Sequence, residues 1–254
     1  MNRLQGKVCV VTGATGMAAD AALRFAEEGA AVWVIDRDGD HCQALGLPYA
    51  VADLREEAAT EAAFAAVRRA AGRIDALYAV AGASGRPLGD GPVHELSLRA
   101  WDGTLAGNAT PAFLAAREAL RAMLDQEPGP AAGRGSLVLM ASVLARRPAP
   151  ALFATHAYAA AKAATIGLVR AMAAYYAEHG IRVNALVPSL VRTPMSARAA
   201  ADPASVAFAE RRQPLAGGFL DPADVTQAAV YLCSDESRAV TGQVLAVDGG
   251  WSVT

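Results

Sequence analysis

The chain has 254 residues, enough for one large α/β domain or two small ones. It is 54% hydrophobic and 19% charged, with mean hydropathy +0.23, net charge −2 and an isoelectric point near 6.1, so it can bury a large core. That balance argues against nucleic acid as a partner, which needs a concentrated basic face, and no apolar run approaches the roughly 18 residues that span a bilayer.

The polar opening stretch Met1–Lys7 lacks the apolar region of a signal peptide, so a cytoplasmic location and no membrane partner are expected. A first strand follows over Lys7–Val11, with Cys9 as a small buried hydrophobe. Thr12-Gly13-Ala14-Thr15-Gly16-Met17-Ala18-Ala19 then leads into a helix over Ala18–Glu28. Small residues between a strand and a helix let the backbone turn tightly and bring a pyrophosphate to the positive helix end. The second strand, Ala31–Ile35, ends in Ile35-Asp36-Arg37. A carboxylate there can accept both ribose hydroxyls of NAD and repel the 2′-phosphate of NADP, although Arg37 beside it could tolerate a phosphate. The alternative is an ordinary turn over Asp36-Arg37-Asp38-Gly39-Asp40.

Further strands are expected over Tyr49–Ala52, Ile74–Val80, Ser136–Met140, Ile181–Val187 and Gln243–Val247. Helices are expected over Glu56–Ala71, Trp101–Leu124, His156–His179 and Pro222–Leu232, the last started by Asp221 as N-cap before Pro222. Continuous apolar runs such as Leu137-Val138-Leu139-Met140 mark strands buried on both faces, hence a parallel sheet. The βα alternation predicts a doubly wound, mostly parallel seven-stranded α/β sheet of Rossmann type in a single domain, 1–254. A Gly/Pro-rich loop falls over Glu127–Gly135. Pro188–Phe219 lacks clear periodicity and is long for a connection, so a substrate flap around 188–219 is expected.

Tyr158 and Lys162 stand at i and i+4 on a predicted helix, and therefore on one face. A phenol near pH 7 is a poor base, and a nearby ammonium should favour the phenolate and allow proton exchange with an alcohol or carbonyl oxygen. Ser142 ends the preceding strand at the carboxyl edge of the sheet, where open α/β folds bind ligands.

Taken together, these residues resemble the short-chain dehydrogenase/reductase family, in its single-domain branch. The likeness runs from Thr12-Gly13 to Val240-Thr241-Gly242-Gln243 and Val247-Asp248-Gly249-Gly250, through Asp53, Ala81-Gly82, Asn108, Asn184-Ala185, Pro188 and Thr193-Pro194. It implies an enzyme passing hydride between NAD and the carbon of a small or medium alcohol or ketone. Tyr158 would be the general acid/base, Ser142 would bind the substrate oxygen, Lys162 would hold nicotinamide ribose hydroxyls, and Asn108 would hold a water. Gly13, Thr15, Gly16, Met17, Asp36, Asp53, Leu54, Val80, Ala81, Gly82, Val191 and Thr193 would join Tyr158 and Lys162 in binding the cofactor. A homo-oligomer, tetramer or dimer, is also implied.

The chain departs from the family pattern in places. Its glycine loop is one residue shorter, with alanine for a third glycine, and Ala79-Val80 replaces two asparagines that would brace the sheet. Sixteen positions separate Ser142 from Tyr158, the extra ones within Arg146–Thr155, and Ser189 replaces a glycine. These changes motivate an alternative, a cofactor-binding sensor or scaffold with little turnover. His41, His94, His156 and His179 show no metal-ligand spacing, and no metal is expected. His156 could face the pocket, Arg146 and Arg147 could meet an anionic substrate, and Leu152, Phe153 and Met195 could line an apolar pocket.

Overall fold

The protein is seen here as a computed structural model, which describes residues 2–129 and 133–254. Met1 and residues 130–132 of the loop expected over 127–135 lie outside the described residues. The strands are β1 (Val8–Thr12), β2 (Ala31–Asp36), β3 (Tyr49–Val51), β4 (Ala76–Ala79), β5 (Gly135–Met140), β6 (Ile181–Pro188) and β7 (Val244–Val247). They form one sheet in the order β3-β2-β1-β4-β5-β6-β7, every pair parallel.

The helices are α1 (Met17–Glu27), α2 (Gly39–Ala44), α3 (Glu57–Ala71), α4 (Leu98–Ala106), α5 (Ala109–Asp125), α6 (His156–Tyr176), α7 (Ala197–Ala200), α8 (Pro203–Arg212) and α9 (Pro222–Cys233). Two cores form because neighbouring residues on a strand face opposite ways. Val10, Leu77, Leu137 and Val183 pack with Phe64 and Val67 of α3, Met123 of α5 and Val169 of α6. Their neighbours Val11, Tyr78 and Val138 pack on the other face with Phe25 of α1 and Val225 and Val230 of α9. Strands sandwiched this way must be apolar throughout, which is why their sequences do not alternate. The chain reverses its direction of travel across the sheet beside β1, whose neighbours are β2 and β4, and a crevice opens beyond the carboxyl ends of the strands.

Three expectations need correction. The helix expected over Trp101–Leu124 is two helices: Ser97 caps α4 by accepting the Ala100 N–H at 3.2 Å, and the chain breaks at Gly107-Asn108. The turn weighed as the alternative over 36–40 runs into α2, because the Asp38 carboxylate accepts the N–H groups of Asp40 and His41, each at 3.1 Å. The 188–219 stretch contains α7 and α8, the second capped by Asp202 and opened by Pro203. Short helices with one narrow buried face leave little periodic signal. At α9, Asp221 does precede Pro222 as expected, with the Asp224 carboxylate accepting the Asp221 N–H at 2.9 Å.

Candidate active site

β1 ends at Thr12, and the backbone turns through Gly13 (φ +97°) and Gly16 (φ +55°) into α1. L-residues with a side chain resist such angles. Space is closed as well: a Cβ at Gly13 would lie 3.1 Å from that of Ala18, and one at Gly16 would lie 3.0 Å from the Thr193 side chain. No side chain caps α1, an arrangement that suits an anion at the helix start. At the end of β2, Asp36 accepts the Ala14 N–H at 3.0 Å and the Asp38 N–H at 2.9 Å, which pins the loop to the neighbouring strand. Each oxygen keeps a second lone pair. Beyond β3, the Arg55 guanidinium pairs with Asp53 and holds its carboxyl down at about 2.

The Thr12 hydroxyl accepts the N–H groups of both Val80 and Ala81 at 3.1 Å. The end of β4 is thereby stitched to β1 without the two asparagine amides that this chain lacks. Next to it, a Cβ on Gly82 would meet Asn108 Oδ1 at 2.8 Å and Lys162 Nζ at 3.3 Å. Asn108, at the break between α4 and α5, is buried; its amide donates to the carbonyls of Ala83 and Thr104 at 2.9 Å, and its Oδ1 accepts the Ala83 N–H at 3.3 Å.

Tyr158 and Lys162 share one face of α6, with the ammonium 5.7 Å from the centre of the phenol ring. Lys162 is only 4% exposed and donates to the Met140 carbonyl at 3.0 Å. Burial pulls its pKa down to about 8. Burial also pushes the Tyr158 phenol above its ordinary value, and a hydrogen bond with the Ser142 hydroxyl draws it partly back. Burial therefore outweighs the help of the Ser142 bond in the phenol's net shift. The proximity was legible in the sequence, but the balance of forces was not.

Sequence reasoning missed Asp90. This nearly buried carboxylate accepts the Ala157 and Tyr158 N–H groups, both at 2.9 Å, and so caps the helix that carries the tyrosine. Thr155, the residue preceding the helix, does not cap it with its side chain. Charge-assisted bonds at a helix start are strong ones. Nothing local signals this role, because 67 positions separate Asp90 from Ala157. Gly85 is tied to the same place: a Cβ there would lie 2.7 Å from that of Asp90 and 2.5 Å from the Thr104 hydroxyl.

A cleft of about 840 Å³ runs along the carboxyl edge. Ser142, Tyr158, Lys162, Gly13, Thr15, Gly16, Met17, Asp36, Asp53, Leu54, Val80, Ala81, Gly82, Val191 and Thr193 all line it. Asn108 does not line it and stands behind Gly82. Phe153 and Met195 line it as expected, together with Trp251. Arg146 and Arg147 do not; they border a separate hollow with Arg212 and the residues 252–254. His156 turns to the 91–93 segment instead, its Nδ1 accepting the Val93 N–H at 3.1 Å. The buried Ser189 hydroxyl, on the cleft wall, has no partner among the described residues. Tight left-handed glycines, an uncapped helix start and an unpartnered hydroxyl are features that fit a bound dinucleotide.

A parallel doubly wound sheet with a glycine turn, an acid after the second strand and a Ser–Tyr–Lys cluster defines a class, the oxidoreductases built on a dinucleotide fold. The chain belongs to the short-chain dehydrogenase/reductase family. A family model described as Enoyl-(Acyl carrier protein) reductase matches residues 11–252. A D-threitol dehydrogenase of Mycolicibacterium smegmatis is 33% identical, over 99% of this chain and 95% of its own. A cis-4-hydroxycyclohexanecarboxylate dehydrogenase of Sinomonas cyclohexanicum is 36% identical, over 97% and 96%. The crystal structure of a short-chain type dehydrogenase/reductase from Mycobacterium marinum superposes with a TM-score of 0.88 at 29% identity, covering 99% of this chain and 97% of that one.

Proposed function

We propose that this chain is an NAD-dependent dehydrogenase or reductase that acts on a small or medium alcohol or ketone, with Tyr158 as general acid/base. One observation carries the reading: Ser142, Tyr158 and Lys162 line the same cleft as the glycine turn and Asp36. When bound, the nicotinamide supplies the hydride chemistry.

Gly13, Thr15, Gly16 and Met17 cradle the pyrophosphate at the start of α1. The free lone pairs of Asp36 take the ribose hydroxyls, and its charge opposes a 2′-phosphate. Asp53 and Leu54 bound the adenine, Val80, Ala81 and Gly82 line the path, and Val191 and Thr193 hold the carboxamide. Ser142 orients the substrate oxygen, and Tyr158 takes a proton from it or gives one to it. Lys162, while charged, holds the nicotinamide ribose and favours the phenolate against the cost of burial. Asn108 holds a water beside the lysine.

The 188–219 stretch acts as the substrate flap. A homo-oligomer, dimer or tetramer, goes with this reading through the family likeness, and sedimentation would measure it. A cytoplasmic location accords with the described residues, in which no helix is long and apolar enough to cross a membrane.

The test is nicotinamide absorbance with a panel of alcohols and ketones, using wild type and Tyr158→Phe. Unchanged turnover in the variant refutes the mechanism, and a clear preference for NADPH refutes the role of Asp36. NADH binding with no turnover across a broad carbonyl panel would favour the alternative of a cofactor sensor or scaffold.

A further inference from the structure

Besides Arg37, which follows Asp36 at the glycine-turn end, two guanidinium groups line the cleft without an ion-paired carboxylate among the described residues. Arg86 lies in the short 3-10 turn Arg86–Leu88 after β4, and Arg198 lies on α7; both line the cleft with Ser142 and Tyr158. Among the described residues neither forms an ion pair, whereas Arg55 and Arg192 each hold an acid. Nearby carboxylates are engaged elsewhere. Asp90 is held to the start of α6 by one N–H on each oxygen, and Asp202 caps α8, accepting the Ser205 N–H at 3.0 Å and its hydroxyl at 2.5 Å; neither is ion-paired to Arg86 or Arg198.

Arg86 is also held in place. One terminal nitrogen donates to the Leu152 carbonyl at 2.7 Å, which ties the arginine to the loop leading into α6 and leaves other N–H groups free. That bond puts Arg86 on the side of the tyrosine rather than that of the phosphate loop. Burial and then the Arg198 charge disfavour its protonated form, and the Asp90 carboxylate offsets them only in part, so the two cations feel each other. Like charges facing one cavity attract an anion, and a guanidinium fork matches a carboxylate with two parallel bonds. The same cleft also presents the apolar side chains of Phe153, Leu190, Met195 and Trp251. The Phe153 and Trp251 rings meet at a tilt of 51° with centres 6.5 Å apart.

We infer that the substrate is a carboxylate-bearing alcohol or ketone, its acid held by Arg86 and Arg198 and its apolar body laid over Phe153 and Trp251. The inference rests on the dehydrogenase reading of this cleft and narrows it.

The test is calorimetry of the NADH-loaded protein at low salt, with hexanoate against its neutral counterpart hexanamide. Hexanoate should bind at least about tenfold tighter, and the ratio should fall toward one in R86Q/R198Q and survive largely in R86K/R198K. A ratio near one in the wild type, including no measurable binding of either probe, overturns the inference. So does a preference that survives R86Q/R198Q, or a loss in that variant of NADH affinity alone, which would assign the arginines to the cofactor. Parallel turnover assays separate the two readings. Preferential hexanoate binding with no turnover of any hydroxy acid or alcohol keeps the anion subsite and sinks the dehydrogenase. Turnover of neutral alcohols with no carboxylate preference does the reverse.

Discussion

Where β1 and β2 end, the cleft is shaped by backbone and short side chains tied to the strands, with Met17, Arg37, His41 and Arg55 around them. Asp36 is bonded to Ala14 and Asp38, Thr12 is bonded to Val80 and Ala81, and Gly13 and Gly16 leave no room for a methyl group. Beyond β4 and β6 the walls are loops, each tied at a few points. Buried Gln213 stitches Leu190 and Gly218 together through three bonds of 2.7 to 3.1 Å, Asp90 caps α6, and Arg86 reaches Leu152. The contrast shows how one fold serves many reactions. A ligand common to a family is met by tightly tied backbone in which a lost brace is made good by another, as Thr12 does here. A ligand peculiar to one member is met by side chains on loops that can be exchanged.

That contrast can be broken experimentally. Tyr158→Phe should cut kcat/KM by about 10² to 10⁴, with NADH affinity by calorimetry moving far less. A matched loss of both would mean that the two ends are not separable. Lys162→Met reports on burial at the junction. An unfolded lysine titrates at its ordinary 10.5 and the folded one at about 8, so between those values the unfolded chain binds the extra proton. Wild-type stability should therefore rise with pH across that window relative to the variant, by at most roughly 3 kcal/mol in denaturant melts at pH 8 and pH 10. A flat difference would show that the ammonium is not desolvated. Asp90→Ala should cost about 2 kcal/mol of stability and lower kcat while sparing NADH binding; Asp90→Glu that restored stability but not kcat would show that placement of α6 matters beyond its folding. Asp36→Ala should reduce the preference for NADH over NADPH by about 1.4 kcal/mol, or tenfold, in paired titrations.

Much of the scaffold was legible because burial on both faces forces a strand to be apolar throughout. Leu137-Val138-Leu139-Met140 could hardly be read otherwise, and β5 lies there. The tyrosine, lysine and serine were legible because the sheet order brings the ends of β5 and α6 together. What stayed hidden depends on long-range pairing. Asp90 carries no local signal for capping a distant helix, and Arg86 is one charge in a Gly/Pro-rich loop until Leu152 and Arg198 are placed beside it. The break at Gly107-Asn108 was concealed by alanine and leucine on both sides, although a glycine followed by an asparagine is a cue that a closer reading could have used.

Gly82 has a consequence for how this sequence can change over time. A methyl group there would collide with the Asn108 amide at 2.8 Å and crowd the Lys162 amine at 3.3 Å, so position 82 cannot gain a side chain while its neighbours stay as they are. Any descendant that replaces the glycine must first shorten or move the asparagine, a residue that we propose serves the proton relay.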